Sequence, residues 1–134
     1  MQIQPYLFFN GRTEEAIDFY KKALGAEVGM LMRWKDSPDK SACNSGNENK
    51  VMHAAFQVRG ATIMASDGDN TGKPEFKGFA LTINANDEAD ADRTFNALAD
   101  GGQITLPMTK TFFSPRFGML ADKFGVHWMV IVNP

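Results

Sequence analysis

Residues 13–25 read TEEAIDFYKKALG and have the pattern of one amphipathic helix. Thr13 can cap the first turn, and Glu14 and Glu15 lie at the positive end of the helix dipole. Gly25 follows the last turn, where the chain often needs a left-handed conformation. The apolar side chains recur at helical spacing on one face: Ala16, Ile17, Tyr20, Ala23 and Leu24. The stretch therefore predicts a helix that packs one side against a neighbouring layer.

Strand-like runs lie on both sides of this helix. The run before it covers residues 3–9 and ends at the turn signal Asn10-Gly11. Three further strand candidates follow the helix: 27–34, 51–58 and 61–67. Arg59-Gly60 is short enough to join the last two as a hairpin. The first half of the chain therefore predicts the order β-α-β-β-β.

The second half of the chain repeats this order. The segment 68–77 contains glycine, asparagine and proline and interrupts both periodicities, so it predicts a linker. A strand at 79–83 and an amphipathic helix at 87–99 follow it. Three more strands complete the half: 103–111, 116–121 and 126–132.

The two halves also match residue by residue. A displacement of 74 positions aligns five pairs: Leu7 with Leu81, Asn10 with Asn84, Asp18 with Asp92, Ala23 with Ala97 and Leu24 with Leu98. Nearer the module ends the displacement falls to 65 and aligns two more pairs: Gly60 with Gly125 and Met64 with Met129. A polar insertion between Trp34 and Val51 accounts for the difference.

A duplicated βαβββ unit explains this repeat. We therefore predict an α+β fold, a single domain over residues 1–134 built of two tandem βαβββ modules. The modules cover 1–67 and 76–134, with a linker at 68–75. Two such modules can pair their sheets around a concave surface, with each helix on the outer face of its own sheet.

Composition and charge narrow the class of protein. The 134 residues are 43% hydrophobic and 22% charged, and no apolar run approaches the roughly 20 residues that cross a bilayer. The net charge of −2, without a clustered basic face, argues against a nucleic-acid partner. The N-terminus has no signal-peptide pattern, and the single cysteine, Cys43, cannot close an internal disulfide. We expect a cytoplasmic protein with no membrane and no nucleic-acid partner.

Two motifs carry a family resemblance. Residues 19–25, FYKKALG, resemble the FYxxxLG signature of the first helix in vicinal-oxygen-chelate proteins, a superfamily that includes glyoxalase I and bleomycin-resistance proteins. Residues 122–129, DKFGVHWM, look like the ending of PhnB-like proteins. Shorter matches fit the same family: Gly78-Phe79, Thr111-Phe112-Phe113 and Phe117-Gly118. The resemblance covers nearly the whole chain and implies paired βαβββ modules and, commonly, a homodimer.

The resemblance also implies where a metal ion would lie. Metal-using members of the superfamily hold a divalent ion with four side chains, mostly His and Glu, from the first and last strands of both modules. In this sequence those positions fall on Pro5 or Tyr6, Gly78 or Phe79, Met64 and Met129. None is a hard-metal ligand, although a thioether could favour a soft ion such as Cu(I). We therefore expect no metal site of the usual kind and no cofactor.

Names in this branch often mention phosphonate metabolism or demethylubiquinone methylation. A conventional methyl transfer from S-adenosylmethionine would lead us to look for a glycine-rich turn after the first strand of a doubly wound sheet. The first strand here ends in Asn10-Gly11-Arg12 instead. The residues therefore support neither name.

Two histidines are candidate binding residues. Strand alternation puts His127 on the same face as Met129, and it puts His53 on the more polar face of the strand 51–58. We expect five residues to contact a ligand in the cleft: His53, Met64, Phe113, His127 and Met129. Met64 and Met129 should face each other across it.

Three functions fit these observations. Thioethers and aromatic rings suit an adaptable apolar pocket, so our first interpretation is a metal-free protein that binds or sequesters a small, partly apolar molecule. The second is a glyoxalase-like isomerase, lyase or transferase that uses His53 and His127 or a recruited metal, with a carboxylate from Asp67 or Glu75. The third is a non-catalytic homodimer that acts through a protein partner. Whether any reaction is catalysed stays open.

Overall fold

The computed structural model describes residues 1–68 and 73–134. The chain divides into two compact units, Met1–Pro74 and Glu75–Pro134. The middle of the predicted linker, residues 69–72, lies outside the described residues. In the described parts, no helix is long and apolar enough to cross a membrane.

The first unit is one four-stranded sheet with one helix. Its elements in chain order are β1 (Tyr6–Phe8), α1 (Thr13–Leu24), β2 (Glu27–Arg33), a 3-10 turn (Trp34–Asp36), β3 (Val51–Val58) and β4 (Ala61–Ser66). The strand order is β1-β4-β3-β2, with β1 parallel to β4 and the other pairs antiparallel. The β3–β4 hairpin turns at Arg59 and Gly60, which both have positive φ (51° and 84°), as a two-residue hairpin turn requires.

The second unit repeats this topology. Its elements are β5 (Leu81–Ala85), α2 (Glu88–Ala99), β6 (Gln103–Thr109), β7 (Arg116–Ala121) and β8 (His127–Val132). The strand order is β5-β8-β7-β6, again with one parallel pair, β5 and β8. The predicted α+β fold with two βαβββ modules is therefore confirmed.

Each helix packs on one face of its own sheet. In the first unit Tyr20 of α1 stacks on Phe56 of β3, with ring centroids 5.8 Å apart. In the second unit Phe95 and Leu98 of α2 are buried together with Trp128 and Val130 of β8. Gly118 allows this approach, because a Cβ there would lie 2.8 Å from the Phe95 ring. The alternate residues of each strand therefore point to the other face of the sheet.

The start of α1 differs from the prediction. Thr13 is the first helical residue rather than the cap, and the capping position, Arg12, makes no side-chain capping bond. The Asp67 side chain, distant in the sequence, takes the place of this capping bond: its Oδ1 accepts a hydrogen bond from the Thr13 backbone N–H at 3.0 Å. Its Oδ2 accepts one from the Val51 N–H at 2.8 Å. Asp67 therefore fastens the helix to β3, which sequence spacing could not show.

The first strand of the second module also differs from the prediction. We expected it at 79–83, but it covers Leu81–Ala85. The β5–β8 register explains the shift, because Ile83 pairs with Val130 and Ala85 with Val132, and these four side chains are buried. Phe79, by contrast, is 45% exposed and precedes the strand.

Asp122 organises the turn between β7 and β8. Its Oδ1 accepts hydrogen bonds from the backbone N–H groups of Phe124 (2.9 Å) and Val126 (3.1 Å). Its Oδ2 accepts one from Trp128 Nε1 at 2.9 Å. The carboxylate is buried and thus exchanges water for three N–H donors. The DKFGVHWM motif is therefore explained by the requirements of the fold.

Asp122→Ala should lower the free energy of unfolding by about 2–4 kcal/mol, because it leaves buried N–H donors without an acceptor. Urea denaturation followed by circular dichroism measures the loss. Asp100→Ala, at an exposed aspartate, is the control and should change stability by less than about 1 kcal/mol. Equal losses in the two variants would contradict the proposed role of the Asp122 carboxylate.

Candidate functional site

The candidate site residues lie on the sheet faces that α1 and α2 do not cover. We call these the open face of the first sheet and the open face of the second sheet. Burial alternates along the strands as this arrangement requires. In β1, for example, Leu7 is 2% exposed and lies under α1, whereas Phe8 is 55% exposed on the open face.

A row of four side chains crosses the open face of the first sheet. Tyr6 of β1 pairs with Met64 of β4, Met64 with Ala55 of β3, and Ala55 with Met30 of β2. His53 lies two residues before Ala55 and therefore on the same face, where its cross-strand partner is Met32. The structure thus brings two predicted ligand-binding residues, His53 and Met64, onto one face as near neighbours.

A phenol–imidazole pair is the main polar feature of this face. Tyr6 Oη lies 2.9 Å from His53 Nδ1, so a hydrogen bond joins β1 to β3 across the intervening strand β4. If the phenol donates to Nδ1, a neutral imidazole must carry its proton on Nε2. The Tyr6 ring also lies 5.0 Å from Phe8 and 5.5 Å from His53, centroid to centroid. The three rings form a continuous aromatic row on the open face.

The open face of the second sheet has a matching central row. Thr82 of β5 pairs with Met129 of β8, Met129 with Met119 of β7, and Met119 with Leu106 of β6. The Thr82 hydroxyl lies 3.9 Å from Met129 Sδ, a weak donor–acceptor contact. His127 pairs with Ala121 on the same face.

Phe113 belongs to a different part of the second sheet's open face. Its ring packs edge-on against Phe117 at 5.1 Å between centroids. Phe117 pairs with Ile131. The Met119–Met129 row therefore lies between this row and the row of His127. The predicted residues Phe113 and His127 therefore flank the Met119–Met129 row instead of meeting each other.

The two histidines occupy different positions in the repeat. Ala55 and Met119 are equivalent, because each pairs with the methionine of the last strand, Met64 or Met129. Two residues earlier stand His53 in β3 and Phe117 in β7, so an imidazole in one module corresponds to a phenyl ring in the other. His127 corresponds in the same way to Thr62. The acid–base pair that we considered from the sequence is thus not a symmetric pair.

The residues at the superfamily's metal positions do not fit a hard divalent ion. The registers place Tyr6 beside Met64 and Thr82 beside Met129, so the expectation of Gly78 or Phe79 for the second module was wrong by a few residues. A phenol, a hydroxyl and two thioethers are poor ligands for such an ion. Within residues 1–68 and 73–134, no three His, Cys, Asp or Glu side chains cluster as a metal site would require.

The two carboxylates that we considered have other contacts. Asp67 is 3% exposed and binds two backbone N–H groups with its two oxygens, as described above. Glu75 forms an exposed ion pair with Lys77 at 3.0 Å. Both therefore make contacts that need no ligand.

Known proteins share this architecture. A sequence family described as 3-demethylubiquinone-9 3-methyltransferase matches residues 1–131. The chain belongs to this family. Protein YjdN from Escherichia coli (strain K12) is 36% identical to it over 98% of this chain and 95% of that protein. The resemblance to PhnB-like proteins is confirmed.

Solved structures extend the comparison. Protein PA1353 from Pseudomonas aeruginosa is 37% identical, with a TM-score of 0.87 over 99% of this chain and 98% of that chain. A PhnB protein from Bacillus cereus is 30% identical, with a TM-score of 0.79 over 99% and 100%. At 12% identity, the fosfomycin resistance protein FosX from Listeria monocytogenes (TM-score 0.67) shares the fold alone. The family thus has the vicinal-oxygen-chelate fold.

Sequence reasoning missed Tyr6 as the partner of His53. It considered Tyr6 only as a metal position, because the two residues are 47 positions apart and lie on strands that are not neighbours in the sheet. The pattern Tyr6-Leu7-Phe8 was the available signal, since it places two aromatic rings on the face opposite a buried leucine. It also missed Met30 and Met32, which a bulge in β2 brings onto the open face.

Tyr6→Phe should change the tautomer balance of the neutral His53 imidazole, because the lost hydroxyl is the partner of Nδ1. Long-range ¹H–¹⁵N correlation spectra report which ring nitrogen carries the proton. His127, on the other sheet, serves as the internal control and should keep its spectrum. Identical His53 spectra in the two proteins would show that the pair does not form in solution.

Proposed function

We propose that this protein binds a small, partly apolar molecule against the open faces of its sheets, without the divalent ion used by other members of the superfamily. The observation that carries the proposal is the Tyr6–His53 hydrogen bond. It is a polar contact among aromatic rings and thioethers on a face that the module's own helix does not cover. Such a mixture of apolar surface and a few placed polar groups is typical of small-molecule sites.

Two features of the faces suit a flexible apolar binding surface. Phe8 is 55% exposed and continues the ring row of Tyr6 and His53, so a planar ligand group could stack there. Met64 and Met129 take the equivalent central positions of the two faces, where unbranched thioethers adapt to irregular shapes. We propose His53, Met64, Phe113, His127 and Met129 as ligand contacts, and we add Tyr6.

A second candidate function is catalysis by His53. A phenol on Nδ1 holds the ring and leaves Nε2 for a proton transfer to or from a bound substrate. The family description suggests methyl transfer, but the sheets of both modules are four-stranded and mixed, and a doubly wound cofactor fold is a different architecture. An isomerase or lyase reaction is therefore the better enzymatic alternative.

Thermal-shift screening against a library of small aromatic and aliphatic acids should find compounds that raise the melting temperature, equally with and without EDTA. A compound at about 100 times its Kd stabilises the protein by roughly 2.7 kcal/mol. Metal analysis of the purified protein should show less than stoichiometric zinc, nickel and iron. If EDTA abolishes the stabilisation and a stoichiometric divalent ion is bound by His53 or His127, the metal-free proposal is wrong. The metal-assisted enzyme is then the better interpretation.

Met129→Ala should weaken binding of a compound found in that screen more than it lowers stability. Met129 is half-buried on the open face, so the substitution removes a ligand contact while α2 and its packing stay in place. Val130→Ala is the matched control, because Val130 is the next residue of β8 and lies on the opposite, helix-covered face. It should lower stability by about 1–3 kcal/mol and keep the affinity of the folded protein. The reverse ranking would contradict a binding role for Met129.

We also propose a homodimer. The edge strands β2 and β6 carry exposed apolar side chains, namely Val28, Met30 and Ile104, and such edges often pair with another chain. A stable interface should bury at least about 1,000 Å² in total. Light scattering at micromolar concentration should give twice the mass of 14.8 kDa, and a monomer alone would refute the proposal.

A further inference from the structure

The side-chain lengths on the open face of the first sheet imply a depression at Ala55. Its methyl side chain has four nearest neighbours on that face: Met64 and Met30 across the two flanking strands, and His53 and Gln57 along its own strand. All four neighbours are longer than alanine, so they form walls around it. Two of the walls end in a thioether and one in an imidazole.

We propose that this depression is a binding site for a soft monovalent metal ion, Cu(I) or its analogue Ag(I), held by Met30, Met64 and His53. Thioether sulfur and neutral imidazole nitrogen are ligands that Cu(I) prefers, whereas divalent zinc or magnesium prefer other sets. The site shares the Met64 position with the superfamily's divalent centre and differs from that centre in its ligand chemistry and in its other two ligands, Met30 and His53. It goes beyond the proposed small-molecule function and does not depend on it.

The distances along the sheet permit this coordination. Directly opposite side chains on one face have Cβ atoms about 4.5–5.5 Å apart, so both sulfurs start one strand away from Ala55. Methionine has three rotatable bonds and can direct its sulfur over the small residue between them. Met32, the cross-strand partner of His53, provides a further thioether on the same face.

The hydrogen bond of Tyr6 prepares His53 for this role. A metal-binding imidazole is usually held through its other ring nitrogen, which fixes both its orientation and its tautomer. Here the Tyr6 hydroxyl lies 2.9 Å from Nδ1 and leaves Nε2 to coordinate the ion. Coordination by Nε2 requires the neutral tautomer that carries its proton on Nδ1, and this Nδ1–H then donates to the Tyr6 hydroxyl oxygen. Tyr6 is thus a positioning residue.

The second module lacks the depression and provides an internal control. Met119 stands where Ala55 stands, and its neighbours in the sheet are Leu106, Met129, Phe117 and Ala121. The central position is filled by a long side chain, and no imidazole is among these neighbours. Two methionines face each other there, with His127 in the next row, but without the small central residue of the first sheet. They therefore separate a general affinity of nearby thioethers and imidazole from the proposed site.

Anaerobic titration of the purified full chain with Cu(I), in competition with bicinchoninate, tests the proposal. Cys43→Ser is the background for every variant, because a thiolate also binds Cu(I). We expect one equivalent of Cu(I) to remain on the protein. Met30→Leu/Met64→Leu should lower the affinity at least about ten-fold, and Tyr6→Phe about 10- to 100-fold, the range for losing the partner of a metal-binding histidine.

The matched control is Met119→Leu/Met129→Leu, which removes two thioethers from the second sheet and conserves volume in the same way. It should leave the Cu(I) affinity unchanged, and circular dichroism checks the fold of every variant. Methyl spectra of ¹³C-labelled methionine with Ag(I) should show shifts at Met30 and Met64 and unchanged signals at Met119 and Met129. Loss of all Cu(I) to bicinchoninate, or an equal effect of the two double variants, would overturn the proposal.

Discussion

Each sheet in this protein has one helix to cover it, and strand alternation sends every second side chain to the face away from that helix. The rest of the structure depends on this constraint. The helix-covered faces contain the buried core, including Tyr20 on Phe56 and Trp128 beside Leu98. Side chains on the open faces therefore do not pack against the helix of their own module. Imidazole, phenol and thioether groups can lie there without disturbing the packing of the core.

The sequence could predict the elements because their signals are local. Helix periodicity located both helices, and the limits of β3 and β7 agree with those expected, since turn residues bound each of them. The first strand of the second module was displaced by two residues. The offset of 74 residues between the two modules came mainly from matches in the helices. The strand registers give an offset of 76 residues, because Tyr6 and Thr82 are the equivalent partners of Met64 and Met129. A two-residue error keeps the face but moves each side chain to the next row. The supposed metal position, Phe79 or Gly78, lay three or four residues before Thr82.

Contacts between elements distant in the sequence could not be predicted. The Tyr6–His53 bond requires β4 to lie between β1 and β3, and the sequence pattern gives strand faces but not strand order. The same holds for Asp67, which precedes the predicted linker and binds the start of α1. Strand alternation did place His53 correctly on the more polar face. The sequence could therefore predict which residues share a face, but it could not predict which of them contact each other.

The repeated and the unrepeated positions have different physical roles. The DKFGVHWM motif, which carries much of the family resemblance, contains the buried Asp122 and Trp128 and is therefore a requirement of the turn and core. These two residues identify a fold and are silent about chemistry, whereas His127 and Met129 of the same motif lie on the open face. On their open faces the modules differ at Tyr6 against Thr82, Ala55 against Met119 and His53 against Phe117, and in the opposite sense at Thr62 against His127. The first module therefore has a histidine with a hydroxyl partner and a small central residue, whereas the second module has a histidine beside a row of long side chains. The centre of the second sheet is therefore filled and largely apolar, whereas the first sheet has an oriented imidazole beside a small central residue. For this reason the first sheet is the better candidate for ligand binding.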